Sequence, residues 1–243
     1  CALPIWISEE EQPMWNFFVE HNLTKIGYYP ICKKGDSVSP MDSKFGGSIF
    51  YLPDNCNMNC TECNACKEVL FSVNLRNAPE AFRNMFPAEL RESLVQFLYC
   101  TECMSSNEEN TIQVNVFSPD QFDKLLVKEP KEGSKIEPTI IERWEEFVSV
   151  DGTSEKYFEL LGESGLDDLA MEEFVKDIKD RYAGKTYLLG FPYFQEGEYQ
   201  IEEDDYNYIM NIENDDNFSM MLGDAGVGQI WMTPSGKFNF TYM

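Results

Sequence analysis

Apolar side chains recur at every second position through much of this chain, the spacing of a strand with one buried face. Val69, Phe71, Val73 and Leu75 set the pattern, and 94–99 and 111–117 repeat it. Past the middle it returns at Tyr187 to Leu189, Tyr206 to Ile212, Gly228 to Met232 and Phe238 to Tyr242. Between the early strands, Ala78-Pro79 and Phe86-Pro87 predict loop with one helical turn. One stretch has a different period. Leu166, Ala170, Phe174, Ile178 and Tyr182 repeat every four residues, predicting a helix over 166–182 with Gly184 at its C-cap. Near the start, Ser8 and Glu11 form a capping box before the apolar stripe Trp15, Phe18 and Val19, and Pro13 can move the helix start to itself.

These elements predict an α+β, mostly β fold with few helices, arranged as two related β-rich lobes. Residues 1–43 read as an N-terminal cap with one helix, 44–127 as the first lobe, 128–184 as a connector and helix, and 185–243 as the second lobe. The connector reading rests on Pro130, Gly133 and Pro138 among charges. The relation between lobes rests on three matches in the same order. Gly47 with Phe50-Tyr51 matches Gly190 with Tyr193-Phe194. Val73-Asn74-Leu75 matches Met210-Asn211-Ile212, and Gln96 to Tyr99 matches Gln229 to Met232.

Composition narrows the partners. The 243 residues carry 43 acidic and 19 basic side chains, a formal charge of −24. Such a field repels nucleic acid and anionic membrane and attracts basic proteins. No apolar run is long enough to span a bilayer. Eight cysteines with metal-site spacing point to a reducing compartment, hence cytoplasm.

The cysteine pattern carries the clearest chemistry. Cys63-x-x-Cys66 and Cys100-x-x-Cys103 are two turns that each present two sulfurs, the usual form of a four-thiolate zinc site. Zinc on Cys63, Cys66, Cys100 and Cys103, in the first lobe only, is the expectation. Cys56 and Cys60 lie just upstream and could replace one ligand or sit idle. Disulfides or plain buried thiols are the alternative.

Catalysis has little to work with. His21 is the single histidine and lies far from every motif, so a serine or cysteine nucleophile lacks its usual base. A closed thiolate shell leaves no open metal position. Gly223-x-x-Gly226-x-Gly228 precedes strand residues rather than a helix or lysine, so a tight turn fits better than a phosphate loop. Carboxylate pairs such as Glu145-Glu146, Asp167-Asp168 and Glu172-Glu173 read as solvated faces in so acidic a chain.

Several segments together resemble the YwqG-like family, related to the programmed-cell-death-protein-2 and pre-ribosomal chaperone group. They are Lys44-Phe45-Gly46-Gly47, Tyr51-Leu52-Pro53, the strand from Leu70 to Leu75, Gln96 to Tyr99, Leu189 to Phe194, and above all Gly223 to Gln229. The resemblance covers about residues 44–242. It implies a two-lobed, mostly β fold and a protein-binding role, chaperone-like in eukaryotic relatives and toxin-neutralising in some bacterial ones. The tail Thr241-Tyr242-Met243 departs from the aromatic-x-cysteine ending of many members.

The resulting expectation is a non-enzymatic binding module that sequesters or escorts a basic protein or peptide. The alternatives are a structural component of a larger particle and a histidine-independent hydrolase. Between Glu196 and Asn217 there are nine carboxylates and no lysine or arginine. Glu202, Glu203, Asp204 and Asp205, with Tyr206 and Tyr208 beside them, are the expected receiving surface.

Overall fold

The computed structural model describes residues 7–54, 58–102, 112–192, 207–215 and 227–242. In chain order the elements are α1 (Gln12–Glu20), β1 (Thr24–Lys34), β2 (Ser43–Phe45), β3 (Ile49–Tyr51), β4 (Glu68–Asn74), α2 (Glu80–Arg83), β5 (Leu94–Tyr99) and β6 (Ile112–Phe117). There follow β7 (Leu126–Lys128), β8 (Thr139–Val150), α3 (Glu155–Ser164), α4 (Asp168–Asp180), β9 (Tyr187–Leu189), β10 (Asn207–Glu213), β11 (Val227–Met232) and β12 (Phe238–Tyr242).

Ten of the strands form one sheet in the order β12-β11-β10-β9-β1-β8-β2-β4-β5-β6, and β3 pairs with β7 separately. The pairings are antiparallel. The sheet curls until its edge strands β6 and β12 touch, so it is nearly closed. Tyr99 packs on Phe240 at 5.0 Å and Phe97 on Phe238 at 5.1 Å between ring centres. The main core fills the inside, with Phe71, Val73, Val95 and Phe97 from one end of the sheet meeting Met210, Ile212, Ile230 and Phe240 from the other.

The two longest strands lie where the sequence reads as cap and connector. β1 and β8 pair over almost their whole length and form the middle of the sheet. Their signal is masked for physical reasons. In β8, Glu142, Arg143, Glu145 and Glu146 crowd the apolar positions. β1 contains Pro30, which sits beside a register shift at Ile31/Cys32 where a missing N–H is tolerated. It also contains Gly27, where a Cβ would lie 2.3 Å from the Phe147 ring, a space only glycine leaves open.

Three helices cover the outer face of the second half. Phe17 and Phe18 of α1, Tyr157 of α3, and Met171, Phe174 and Ile178 of α4 pack with Tyr187, Tyr208 and Trp231. The expected helix over 166–182 is α4, starting at Asp168 with the Asp167 side chain accepting from Ala170 N. Gly184 lies just beyond it at φ +68°. α3 was not anticipated. It is capped by Ser154 and ends on Gly165 at φ +70°, but only Tyr157 and Leu161 of it are buried, too few to show a periodic stripe. Ser8 and Glu11 exchange the expected hydrogen bonds, Ser8 N to Glu11 Oε2 at 2.8 Å and Glu11 N to Ser8 Oγ at 3.2 Å, but in the turn before α1, whose N-cap is Glu11 with Pro13 in its first turn.

Corresponding irregularities recur in the two ends of the sheet. β4 slips register between Val69 and Phe71, and β10 between Tyr208 and Met210, each at the third residue of its strand. After β2, Gly46 and Gly47 have φ of +60° and +77°; at β9, Leu189 and Gly190 have +59° and +82°. Gln96 pairs with Ser72, and Gln229 with Asn211.

Candidate metal centre

The first cysteine loop is the turn of a short hairpin between β3 and β4. Lys67 N donates to Met58 O at 2.8 Å and Cys60 N to Ala65 O at 2.7 Å. Asn64 N returns to Cys60 O at 2.9 Å, closing a tight turn around Cys60 to Cys63. Asn64 takes φ +60°, which asparagine tolerates better than most residues. The second loop begins where β5 ends, so Cys100 sits directly after the strand that pairs with β4. Strand pairing thus brings the two loops to one corner of the sheet.

Three sulfurs meet there. The Sγ atoms of Cys60, Cys63 and Cys100 all lie within 4.8 Å of one another, Cys60 and Cys100 buried and Cys63 exposed. Cys63 Sγ and Cys100 Sγ are 3.4 Å apart and the three cysteines are not in disulfides. A disulfide would need about 2.05 Å. A tetrahedral metal with bonds of about 2.3 Å to sulfur spaces its ligands by about 3.8 Å. The trio therefore fits a soft, thiolate-preferring cation, and could hold a metal ion.

The structure places the four expected ligands differently from one another. Cys63 and Cys100 come together. Cys66 is outside the trio, with Lys128 Nζ 3.0 Å from its Sγ and its thiol directed to Lys67 O at 3.4 Å. Cys103 and Cys56 lie outside the described residues. Cys60, held in reserve on the sequence, takes part. A signal for it exists. Cys60-Thr61-Glu62-Cys63 and Cys100-Thr101-Glu102-Cys103 are the same tetrapeptide, hidden because Cys60, Cys63 and Cys66 give two overlapping readings of one spacing.

A buried carboxylate stands behind the loops. Glu68, first residue of β4, is 5% exposed. It accepts hydrogen bonds from Thr101 Oγ1, Ser134 Oγ and Lys135 N, and Lys131 Nζ lies 3.3 Å away. Burial alone would raise its pKa; the Ser134 and Thr101 hydrogen bonds and the Lys131 charge outweigh that and hold it below the ordinary value.

A second polar cluster sits at the Gly46-Gly47 turn. Lys44 is fully buried, with Nζ 2.8 Å from Asp36 Oδ1, 2.6 Å from Ser37 O and 4.9 Å from the Phe50 ring centre. Asp36 also accepts from Ser48 N at 2.8 Å and from Ser48 Oγ. Ser48 is itself fully buried. The group braces the 35–42 loop against β2 and offers no accessible nucleophile.

The expected receiving surface is mostly outside the described residues: Glu202, Glu203, Asp204, Asp205 and Tyr206 all are, as is Gly223 to Gly226. Tyr208 is described, and its assignment to that surface is corrected. It is buried on β10, its ring 5.1 Å from Trp231 and 6.2 Å from Tyr187. The helices cover the face that the aromatic pattern would present to a partner. His21 closes α1, its ring 4.9 Å from Phe17.

Residues 43–239 match a family described as a domain of unknown function (DUF1963), and the chain belongs to that family. No curated protein matches it. No helix among the described residues is long and apolar enough to cross a membrane.

Proposed function

We propose that this chain is a non-catalytic binding module, stapled by a structural zinc, that sequesters or escorts a basic protein segment. The observation that carries the reading is the gathering of Cys60, Cys63 and Cys100 at one corner of the sheet. Cys103, from the repeated tetrapeptide, is the natural fourth thiolate. Four sulfurs leave no position for water, and a metal so enclosed serves folding rather than turnover. The lone histidine at the end of α1 leaves the site without a proton shuttle. The partner follows from charge: at −24 the surface speeds encounter with cations and repels anions. The acidic run of Glu202 to Asp205 remains the proposed contact, now without Tyr208.

The hydrolase alternative has less support. A cavity of about 310 Å³ is lined by Asp42 and Glu142, but both carboxylates are engaged. Asp42 accepts from Ser37 Oγ at 2.5 Å, and Glu142 pairs with Lys33 at 3.1 Å.

We also read the sheet as two related halves, joined through β1 and β8. The matching slips in β4 and β10, the paired positive φ values after β2 and at β9, and the level placement of Gln96 and Gln229 support this. The kinship with the YwqG-like and chaperone group belongs to the same reading and rests on the sequence segments alone.

Two measurements test the function. Elemental analysis of protein purified without chelator should find about one zinc per chain; none would remove the staple. Affinity capture from the source cell should return a basic partner whose binding weakens with salt. Replacing Glu202, Glu203, Asp204 and Asp205 by their amides should slow association and flatten its salt dependence. An unchanged rate and slope would exclude those four.

A further inference from the structure

The stretch that follows β7 converges on the cysteine loops, one contact after another. Lys128 Nζ lies 3.0 Å from Cys66 Sγ. Lys131 Nζ reaches Glu102 Oε1 at 2.6 Å and Glu68 Oε1 at 3.3 Å. Ser134 Oγ donates to Glu68. Lys135 donates its backbone N to Glu68 Oε2 at 2.9 Å and its Nζ to Thr101 O at 2.6 Å. Thr101 and Glu102 are the two residues inside the second cysteine turn, directly after the ligand Cys100. The segment therefore grips that turn by its backbone carbonyl, its hydroxyl (through Glu68) and its carboxylate.

The charges explain the grip. Acidic residues outnumber basic ones 43 to 19 in the chain, yet the eight residues here hold three lysines against two glutamates, Glu129 and Glu132, and it is the lysines that reach the cysteine loops. A divalent metal with four thiolates carries a net charge of about −2, and Glu68 and Glu102 add to it. Three ammonium groups offset most of that negative charge. With the thiols protonated and no metal bound, only the carboxylates would face them. The segment thus favours the loaded form, and by reciprocity a docked segment favours retention of the metal.

We propose that Lys128 to Lys135 is a latch on the metal centre: it docks on the loaded cysteine loops and sets how slowly the metal leaves. The latch rests on the metal reading above. Glu68 is its positioning residue, holding Thr101 from one side and the latch from the other. The latch also ties the metal to the chain leading into β8, the strand that joins the two halves of the sheet.

The test is zinc transfer from the intact loaded protein to excess chromophoric chelator, followed in time. Lys131→Ala, Lys135→Ala and Glu68→Gln should each release zinc about 10–100-fold faster than the unmodified protein, the usual effect of removing a group that supports metal ligands. Lys131→Arg should stay near the original rate. Lys34→Ala, which breaks the exposed Lys34–Glu137 pair at 3.0 Å, should not change it. The charge-transfer spectrum of the cobalt-substituted protein should keep its thiolate intensity in the lysine variants, because they alter escape and not the ligands. Equal release rates in unmodified protein and latch variants would overturn the latch while leaving the metal centre intact. So would equal acceleration by Lys34→Ala, which would indicate general loosening. An unmodified protein that binds neither zinc nor cobalt would overturn the metal reading itself.

Discussion

Glu213 offers a stability test whose size follows from its surroundings. It ends β10, 5% exposed, and its Oε1 accepts one hydrogen bond, from Asn211 Nδ2 at 3.2 Å. Burial pushes its pKa from 4.5 up to about 7; the Asn211 hydrogen bond opposes the rise and the nearby Asp215 charge adds to it. The folded state therefore holds this proton more tightly than the unfolded chain. Where the native form binds more protons, stability falls as pH rises. The contribution is fully present below about pH 4.5 and is lost as the pH climbs through about 7. A shift of that size corresponds to roughly 3 kcal/mol at about 1.4 kcal/mol per unit. Glu213→Gln keeps the size and the acceptor oxygen but cannot ionise. Urea unfolding of both proteins from pH 5 to 8.5, metal and reductant held constant, isolates the effect. The other 42 acidic residues titrate in both and cancel in the difference. The two proteins should be nearly equal at pH 5, and the variant more stable by about 2–3 kcal/mol at pH 8.5. Parallel curves across that range would refute the argument that Glu213 is buried without a counter-charge among the described residues.

Other outcomes follow from particular contacts. Gly47→Ala should destabilise by at least about 2 kcal/mol, since its Cβ would lie 2.1 Å from Asp36 Oδ1 at φ +77°; an unfolding midpoint like that of the unmodified protein would contradict it. Lys44→Met should cost about 3–5 kcal/mol because it leaves Asp36 partly buried without its cation, and the double variant Lys44→Met/Asp36→Leu should recover part of that in the same unfolding assay. Cys60→Ser should lower the thiolate charge-transfer intensity of bound cobalt, whereas Cys66→Ser, outside the sulfur trio, should leave it close to the original. The reverse order would place Cys66 in the shell.

β4, β5, β10 and β11 were legible in the sequence as short runs rich in β-branched, aromatic and aliphatic residues. They are buried along nearly their whole length on both faces, so the alternation expected of a strand with one buried face is not what marks them. β1 and β8 were not, because charged side chains, a proline and a glycine interrupt their period while pairing with each other supplies the order. Tyr208 shows a second limit. Period two identifies the faces of a strand but not what covers them, and the cover here is a set of helices built from residues 12–20 and 155–180. Cys63 and Cys100 were legible because spacing alone marks a ligand turn. Choosing between Cys60 and Cys66 required the hairpin, whose bonds place Cys60 on the inside of the turn and leave Cys66 beside Lys128.

The central pairing of β1 with β8 bears on how the chain reaches this state. Thr24 meets Val150 and Lys34 meets Thr139, so the sheet's middle forms between segments made more than a hundred residues apart. β1 must wait for both its neighbours, β8 and β9, and the seam between β6 and β12 must wait for residues near 240. Loop closure over such distances slows folding. During synthesis on the ribosome, β4 and β5 can pair early, and the cysteine corner they create can form before the rest. If that corner takes up the metal ion we propose for it, the ion would hold these strands together through the interval in which their remaining partners do not yet exist.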